Sequence, residues 1–179
     1  MNVILSIKPK WAEKIYNVEK VIEFRKTIPK YLIGLDTFEN KIHPISRKEY
    51  YPGKTIFLYE TGNVKKVTGY CKFKDLIFER VFFDDSGKVI VPRSYPFGRQ
   101  GFLEWLFYAG GEIKEKELSE YAGKKRFVLC WKIIDPRRFD IARELKEFDL
   151  KRPPQSFCYT HYGINNNNEV TLYGVDFAS

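Results

Sequence analysis

Residues 5–26 read LSIKPKWAEKIYNVEKVIEFRK, and the reading of this run as strand, helix, strand decides the fold. The strand VILSI (3–7) leads into Pro9, whose missing N–H costs nothing at the first helical position. Trp11, Ala12, Ile15 and Tyr16 then form a buried helical stripe, and Asn17 is expected to close the helix in the left-handed conformation. In the strand that follows, side chains alternate between faces, so Ile22 and Phe24 share one face while Val21, Glu23 and Arg25 share the other. Glu23 and Arg25 are thereby placed roughly 7 Å apart along one face, with Lys20 at the mouth of the strand. An exposed pair of this kind is an ordinary ion pair of little energetic value. On a pocket wall, with Ser6 and Lys8 on one face of the preceding strand, the same groups read a ligand's donors and acceptors, because each one left unpaired is costly.

Outward from this run, no period survives between Ile28 and Gly53, where Pro29, Gly34, Pro44 and Pro52 mark a long loop or insertion. Strand character returns in TIFLYE (55–60) and KVTGYCKFKDLIFERVFF (66–83), and DDSGK (84–88) reads as a hairpin turn into VIV. GFLEWLFYAGG (101–111) is helical and stopped by its double glycine; KEKELSEYAG (114–123) is a second, more polar helix. KRFVLCWKII (125–134) is the strongest strand, with Phe127, Leu129, Trp131 and Ile133 opposite Val128, Cys130 and Lys132. A short helix over FDIARELKEF (139–148), a strand in PPQSFCYTHY (153–162), an asparagine loop and one edge strand complete the chain. The pattern is that of an α+β domain: a small, mostly antiparallel, barrel-like sheet with short helices over its openings.

The 179 residues fit a single domain, 1–179, with 44% hydrophobic and 17% aromatic residues. At that length about 70% of the unfolded chain's surface is buried, enough for a core without disulfides or metals. Lys and Arg outnumber Asp and Glu by 31 to 23, giving +8 and an isoelectric point near 9.3, a balance suited to polyanions. Cys71, Cys130 and Cys158 are scattered, an arrangement expected of a reducing cytoplasm. No apolar run reaches membrane-spanning length.

Several motifs are set aside. PGKT (52–55) has Lys48 where a phosphate loop needs its first glycine. GRQG (98–101) has the glycine spacing of a KH loop, but Pro92 and Pro96 break the helix that should precede it. Cys158 and His161 lack a second metal half-site, so neither a metal nor another cofactor is expected. Basic clusters at 8–10, 65–66, 124–126, 137–138 and 151–152, interleaved with Trp11, Tyr59, Tyr70, Phe157 and Tyr159, form a nucleic-acid groove only if they converge in space.

The opening run resembles the start of ASCH domains in the PUA-like superfamily, whose signature GxKxxExR is filled here by Lys20, Glu23 and Arg25, with Val18 replacing the glycine. IFLYET, KVTGYCKF and KRFVLCWKI resemble later strands of that family, and LKEFDLKRPPQSFCY resembles the C-terminal segment of its prokaryotic and phage-type members. Residues 28–54 and 84–111 look like insertions. The resemblance implies a PUA-like β-barrel with a cleft between barrel and first helix that takes RNA or a modified nucleoside or nucleotide. Lys20, Glu23 and Arg25 would line it, with Ser6, Lys8, Tyr59, Gln155 and Ser156 as neighbours.

Three roles follow. The first is a binding module in which Arg25 and Lys20 meet phosphate or carbonyl groups, Glu23 accepts from an exocyclic amine and Tyr59 stacks on a base. The second is a small metal-independent hydrolase, either an amidohydrolase on acylated cytidine or a ribonuclease. Relatives acting on acylated cytidine carry threonine where Glu23 stands, so here Glu23 would activate water with Lys20 steering charge. The third is contact with a protein partner through residues 28–54.

Overall fold

A computed structural model describes residues 1–29, 32, 54–91 and 95–172, apart from the side chains of residues 78, 79, 108 and 109. Most of the 28–54 insertion, and with it the expected protein contact, lies outside the described residues. The expected opening is present: β1 (Asn2–Ile7), α1 (Pro9–Tyr16, with proline in its first turn) and β2 (Ile22–Arg25). Then come β3 (Thr55–Glu60), the long β4 (Lys66–Phe83) and the short β5 (Val89–Ile90). Helix α2 (Gly98–Leu103) runs into a π-helical stretch, Glu104–Gly111, followed by α3 (Glu115–Ala122). The 17-residue β6 (Phe127–Arg143), β7 (Phe157–Thr160) and a hairpin of β8 (Tyr162–Ile164) and β9 (Val170–Leu172) complete the order.

The main sheet runs β2-β6-β4-β3-β1-β7, with β5 beside β4. Its pairs are antiparallel except β1 with β3. The expected barrel is therefore not closed by backbone pairing, because β2 and β7 end the path without a ladder between them. Repeated register shifts between β4 and β6 bend and twist the two strands, as bulges do. One face buries Val3, Leu5, Ile56, Leu58, Phe73, Trp131 and Ile133 under α1; the other buries Ile22, Phe24, Val128 and Cys130 under α2 and α3. Among the described residues no helix is long and apolar enough to cross a membrane.

Two local expectations are corrected. The helix expected over 139–148 is strand to Arg143, with only Leu145–Phe148 as a 3-10 turn. Pairing with β4 decides this: Arg138 lies opposite Gly69 and Arg143 opposite Val67, while Ile141, which a helical stripe would bury, is 78% exposed. The turn is fixed by reciprocal capping between Glu144 and Glu147. At the end of α1, Asn17 has φ −79° and the left-handed residue is Val18, at φ 61°. The turn is pinned by Val18 N–H to Ile15 O (3.0 Å) and Lys20 N–H to Lys14 O (2.9 Å).

The double glycine has a different job from helix termination, since the left-handed cap falls on Glu112 (φ 51°). A Cβ on Gly110 would come within 2.7 Å of Ile22 Cδ1, and one on Gly111 within 2.7 Å of the Phe24 ring. The helical stretch can approach β2 this closely only with hydrogens at both positions.

A β-branched side chain in left-handed backbone is strained by about 1–2 kcal/mol, and Val18 is 62% exposed and so has little packing to lose. Val18→Gly is expected to stabilise the fold by about 1 kcal/mol, raising Tm by about 2–4 °C; calorimetry showing a lower Tm would contradict the strain. The buried thiols set an alkaline limit. Burial raises Cys71 and lifts Cys130 from 9.0 to about 12. A folded-state pKa above the unfolded one leaves stability intact below pH 9 and removes it as pH climbs toward the folded value. Each thiol contributes a loss of up to about 1.4 kcal/mol per pH unit in that window. Urea melts from pH 8 to 11 are expected to give a shallower decline for Cys130→Ala than for the parent; identical slopes would contradict it.

Candidate functional site

The polar groups of 17–26 converge. Lys20, Glu23 and Arg25 are 3%, 6% and 8% exposed, so they form a buried cluster and not a surface pair. β2 pairs with β6 so that Glu23 faces Trp131 and Arg25 faces Leu129. This register holds both side chains on the face shared by β1 and α1.

Lys20 is held on every side. Its ammonium donates to Ile22 O, to Gly111 O at 3.0 Å, and lies 3.5 Å from Glu23 Oε2. Three N–H groups thus meet three acceptors, one of them at the C-terminal end of the π-helical stretch, where carbonyls attract a cation. The Phe24 and Trp11 rings stand 4.8 and 5.5 Å from the same nitrogen. Burial nonetheless lowers the Lys20 pKa, with the Glu23 carboxylate opposing that shift.

Arg25 Nη2 donates to Ser6 O at 2.7 Å, joining β2 to β1 across the gap that no ladder closes. Its Nε approaches Glu23 Oε1 to 2.8 Å, but the N–H does not point at that oxygen, so Nε is buried without a hydrogen bond. The cluster holds two cations and one carboxylate, a net charge of +1 in a site largely closed to water. Such a site favours an acceptor-bearing guest.

A cleft of about 530 Å³ opens over this cluster, between the end of β1, β2, α1 and α3. Of the residues anticipated from sequence, Ser6, Lys8, Lys20, Glu23, Arg25 and Gln155 line it. Ser156 is not on the lining but supports it, its carbonyl accepting from Ser6 N–H at 2.9 Å. The Ser6 hydroxyl is itself committed to Pro154 O at 2.6 Å. Tyr59 lies elsewhere. Along β3, Ile56 and Leu58 point to the core shared with α1, so Phe57 and Tyr59 point to the opposite core, where Tyr59 is 2% exposed. It cannot stack on a base in the cleft.

The aromatic walls are Trp11, Phe24 and Tyr121. Sequence reasoning missed Tyr121, Glu117, Glu120 and Thr61; helical spacing in 114–123 puts Tyr121 beside inward-facing Leu118 and Ala122 and was the available signal. Burial raises the Tyr121 pKa and the Arg25 guanidinium lowers it by a lesser amount. Glu117 is paired with Lys10 at 2.9 Å. Arg99, considered for a phosphate contact, is instead bonded to Val89 O and to Glu115. Among the described residues no three His, Cys, Asp or Glu side chains are grouped to hold a metal.

The fold is shared with an ASCH protein from Zymomonas mobilis, at TM-score 0.57 and 17% identity over 88% of this chain and 86% of that one. A tyrosine-to-phenylalanine variant of that protein gives 0.55 at 18% identity over 88% of each chain. A serine-to-alanine variant gives 0.54 at 18% over 88% and 87%. No protein-family model matches the chain, and no curated protein matches it in sequence. The chain thus has an ASCH-like α+β fold.

The saturated ammonium predicts a structural penalty. Lys20→Met keeps the stem but leaves Glu23, Ile22 O and Gly111 O short of a donor, and is expected to destabilise by about 3–5 kcal/mol. Urea unfolding checks this; a loss below about 1 kcal/mol would mean that the ammonium is not holding the cluster.

Proposed function

We propose that the chain is an ASCH-type, PUA-like module of the cytoplasm that captures RNA or a modified nucleotide in the cleft over Lys20, Glu23 and Arg25. The observation that carries this reading is the buried cluster on the cleft wall. Buried charges destabilise a fold unless their remaining lone pairs and protons find partners, and Arg25 Nε lacks one. A nucleobase offers donors and acceptors in one plane. Arg25 meets a carbonyl or phosphate oxygen, Glu23 accepts from an exocyclic amine, and Trp11 and Tyr121 supply the ring faces expected earlier of Tyr59. Lys20 acts indirectly by holding the Glu23 carboxylate in place. Lys8 and Gln155 stand exposed at the rim, where a backbone would pass. The net charge of +8 supports a polyanionic partner.

A hydrolytic role is favoured by one observation: Lys20 has lowered basicity beside a carboxylate, as in sites where Glu activates water. Against it, the Lys20 N–H groups are already committed.

Fluorescence anisotropy with labelled short oligoribonucleotides, at salt from 50 to 300 mM, tests the cleft. Binding is expected to weaken with salt and to fall roughly ten- to a hundredfold in Glu23→Gln. Affinity indifferent to both would remove the proposal. Incubating the same samples with RNA and with acylated cytidine separates the two readings. Product formed by the parent and not by Glu23→Gln favours the hydrolase, and unchanged ligand favours the binding module.

A further inference from the structure

The face of the sheet that holds Glu23 and Arg25 does not end at the cleft. Because Trp131 pairs with Glu23 and Leu129 with Arg25, the next residue of β6 on that face is Phe127, roughly 7 Å further along. β2 stops at Arg25, so among the described residues no strand pairs with Phe127 on that side. On its other side it pairs with Phe82 of β4, which pairs with Ile90 of β5. The three side chains make one row across three strands. Beneath them the opposite face is filled by Val81, Phe83, Val89 and Val128, while on its own face Phe127 packs at the margin of the core that holds Leu129 and Trp131. Phe82 and Ile90 are 45% and 53% exposed and Phe127 is half-buried.

This row is dressed for a polyanion. The Arg80 guanidinium lies 4.9 Å from the centre of the Phe127 ring, and the Phe82 and Phe127 rings are 6.0 Å apart at 56°. Lys124, Lys125 and Arg126 immediately precede Phe127 and are exposed; among the described residues Asp85 pairs with Arg126. The basic run also reaches back to the cleft. Lys125 Nζ donates to Lys26 O at 3.4 Å, and Lys26 Nζ lies 5.0 Å from the ring of Tyr121 on the cleft wall.

We propose that this row is a second contact for single-stranded RNA. A strand with one base in the cleft passes over Lys26 and Lys125 and stacks following bases on the Arg80 guanidinium and on Phe82. Exposed rings and guanidinium planes on a sheet face accept any base, because every base has a π-face. Surrounding lysines and arginines neutralise the backbone and release counterions. Charge decides against a second copy of this chain as the occupant: the chain is itself +8, and a like-charged copy would be repelled at this basic flank. The inference rests on the RNA reading of the cleft and extends it from a base pocket to a strand path.

Labelled uridine-and-adenosine oligoribonucleotides of three and twelve residues, titrated against the parent, Phe82→Ala, Arg80→Ala and Glu23→Gln, form the test. Phe82 and Arg80 are exposed, so the fold is expected to survive both changes, with Tm as the check. The twelve-residue RNA is expected to lose roughly tenfold or more in affinity with Phe82→Ala, the lower range for one lost base stack. Arg80→Ala is expected to flatten its salt dependence by about 0.7 in the log–log slope. Three-residue RNA, held by the cleft alone, is expected to be unchanged by either and weakened by Glu23→Gln. Twelve-residue affinity within twofold of the parent in both surface variants would overturn the second contact while leaving the cleft standing. Twelve-residue binding lost in Phe82→Ala but untouched by Glu23→Gln would keep the row and remove the cleft. A parent dimer in sedimentation that Phe82→Ala converts to monomer would assign the row to self-association and overturn the proposal.

Discussion

The Lys20 ammonium, with its three N–H groups matched to two carbonyls and a carboxylate, is the constraint on which the rest of the site depends. It requires the end of the π-helical stretch to reach β2, which Gly110 and Gly111 permit by having no Cβ. It fixes the Glu23 carboxylate, which lies against Arg25, and Arg25 in turn bridges to Ser6 O on β1. A single buried cation therefore ties a helical end, an edge strand and the first strand of the sheet together. Such a cluster adds little stability over an apolar equivalent, since desolvating the charges offsets their attraction. What it contributes is position. Removing any one member leaves the others buried without partners, so the arrangement admits few alternatives.

How much of this was legible in the sequence follows from which signals are local. Period-two alternation placed Glu23 and Arg25 on one face, and Phe127, Leu129, Trp131 and Ile133 on one face of β6, because strand alternation is set by the backbone alone. The stripe of α1 was equally plain. The side to which Tyr59 points is not legible because both faces of β3 are buried; with Ile56, Phe57, Leu58 and Tyr59 all largely apolar, no polar residue marks which side meets the cleft. The run 139–148 has an apolar spacing that suits a helix, while the long-range ladder with β4 that makes most of it strand leaves no local trace. Val18 took the left-handed position through the bonds that close α1, against its own preference. The position thus takes a backbone conformation that favours glycine, with valine in it.

The open sheet explains why there is a cleft at all. In a closed barrel, neighbouring strands would satisfy each other's carbonyls and amides, leaving no gap for polar side chains to span. Here the edge strands β2 and β7 share no ladder, and the Ser6 carbonyl, one residue past the last β1–β7 pair, accepts from the Arg25 guanidinium of β2. Side chains can exchange a partner without unzipping a ladder, so a guest entering between β1 and β2 competes with one ion pair and one hydrogen bond. Under the proposed reading the same gap would supply discrimination: a guest lacking an acceptor for Arg25 or a donor for Glu23 would displace solvent and leave a buried charge unmet. That penalty is larger than the gain from any single correct contact. Selectivity at such a site therefore comes from what wrong guests leave unpaired, and the aromatic walls set only the shape of what may enter.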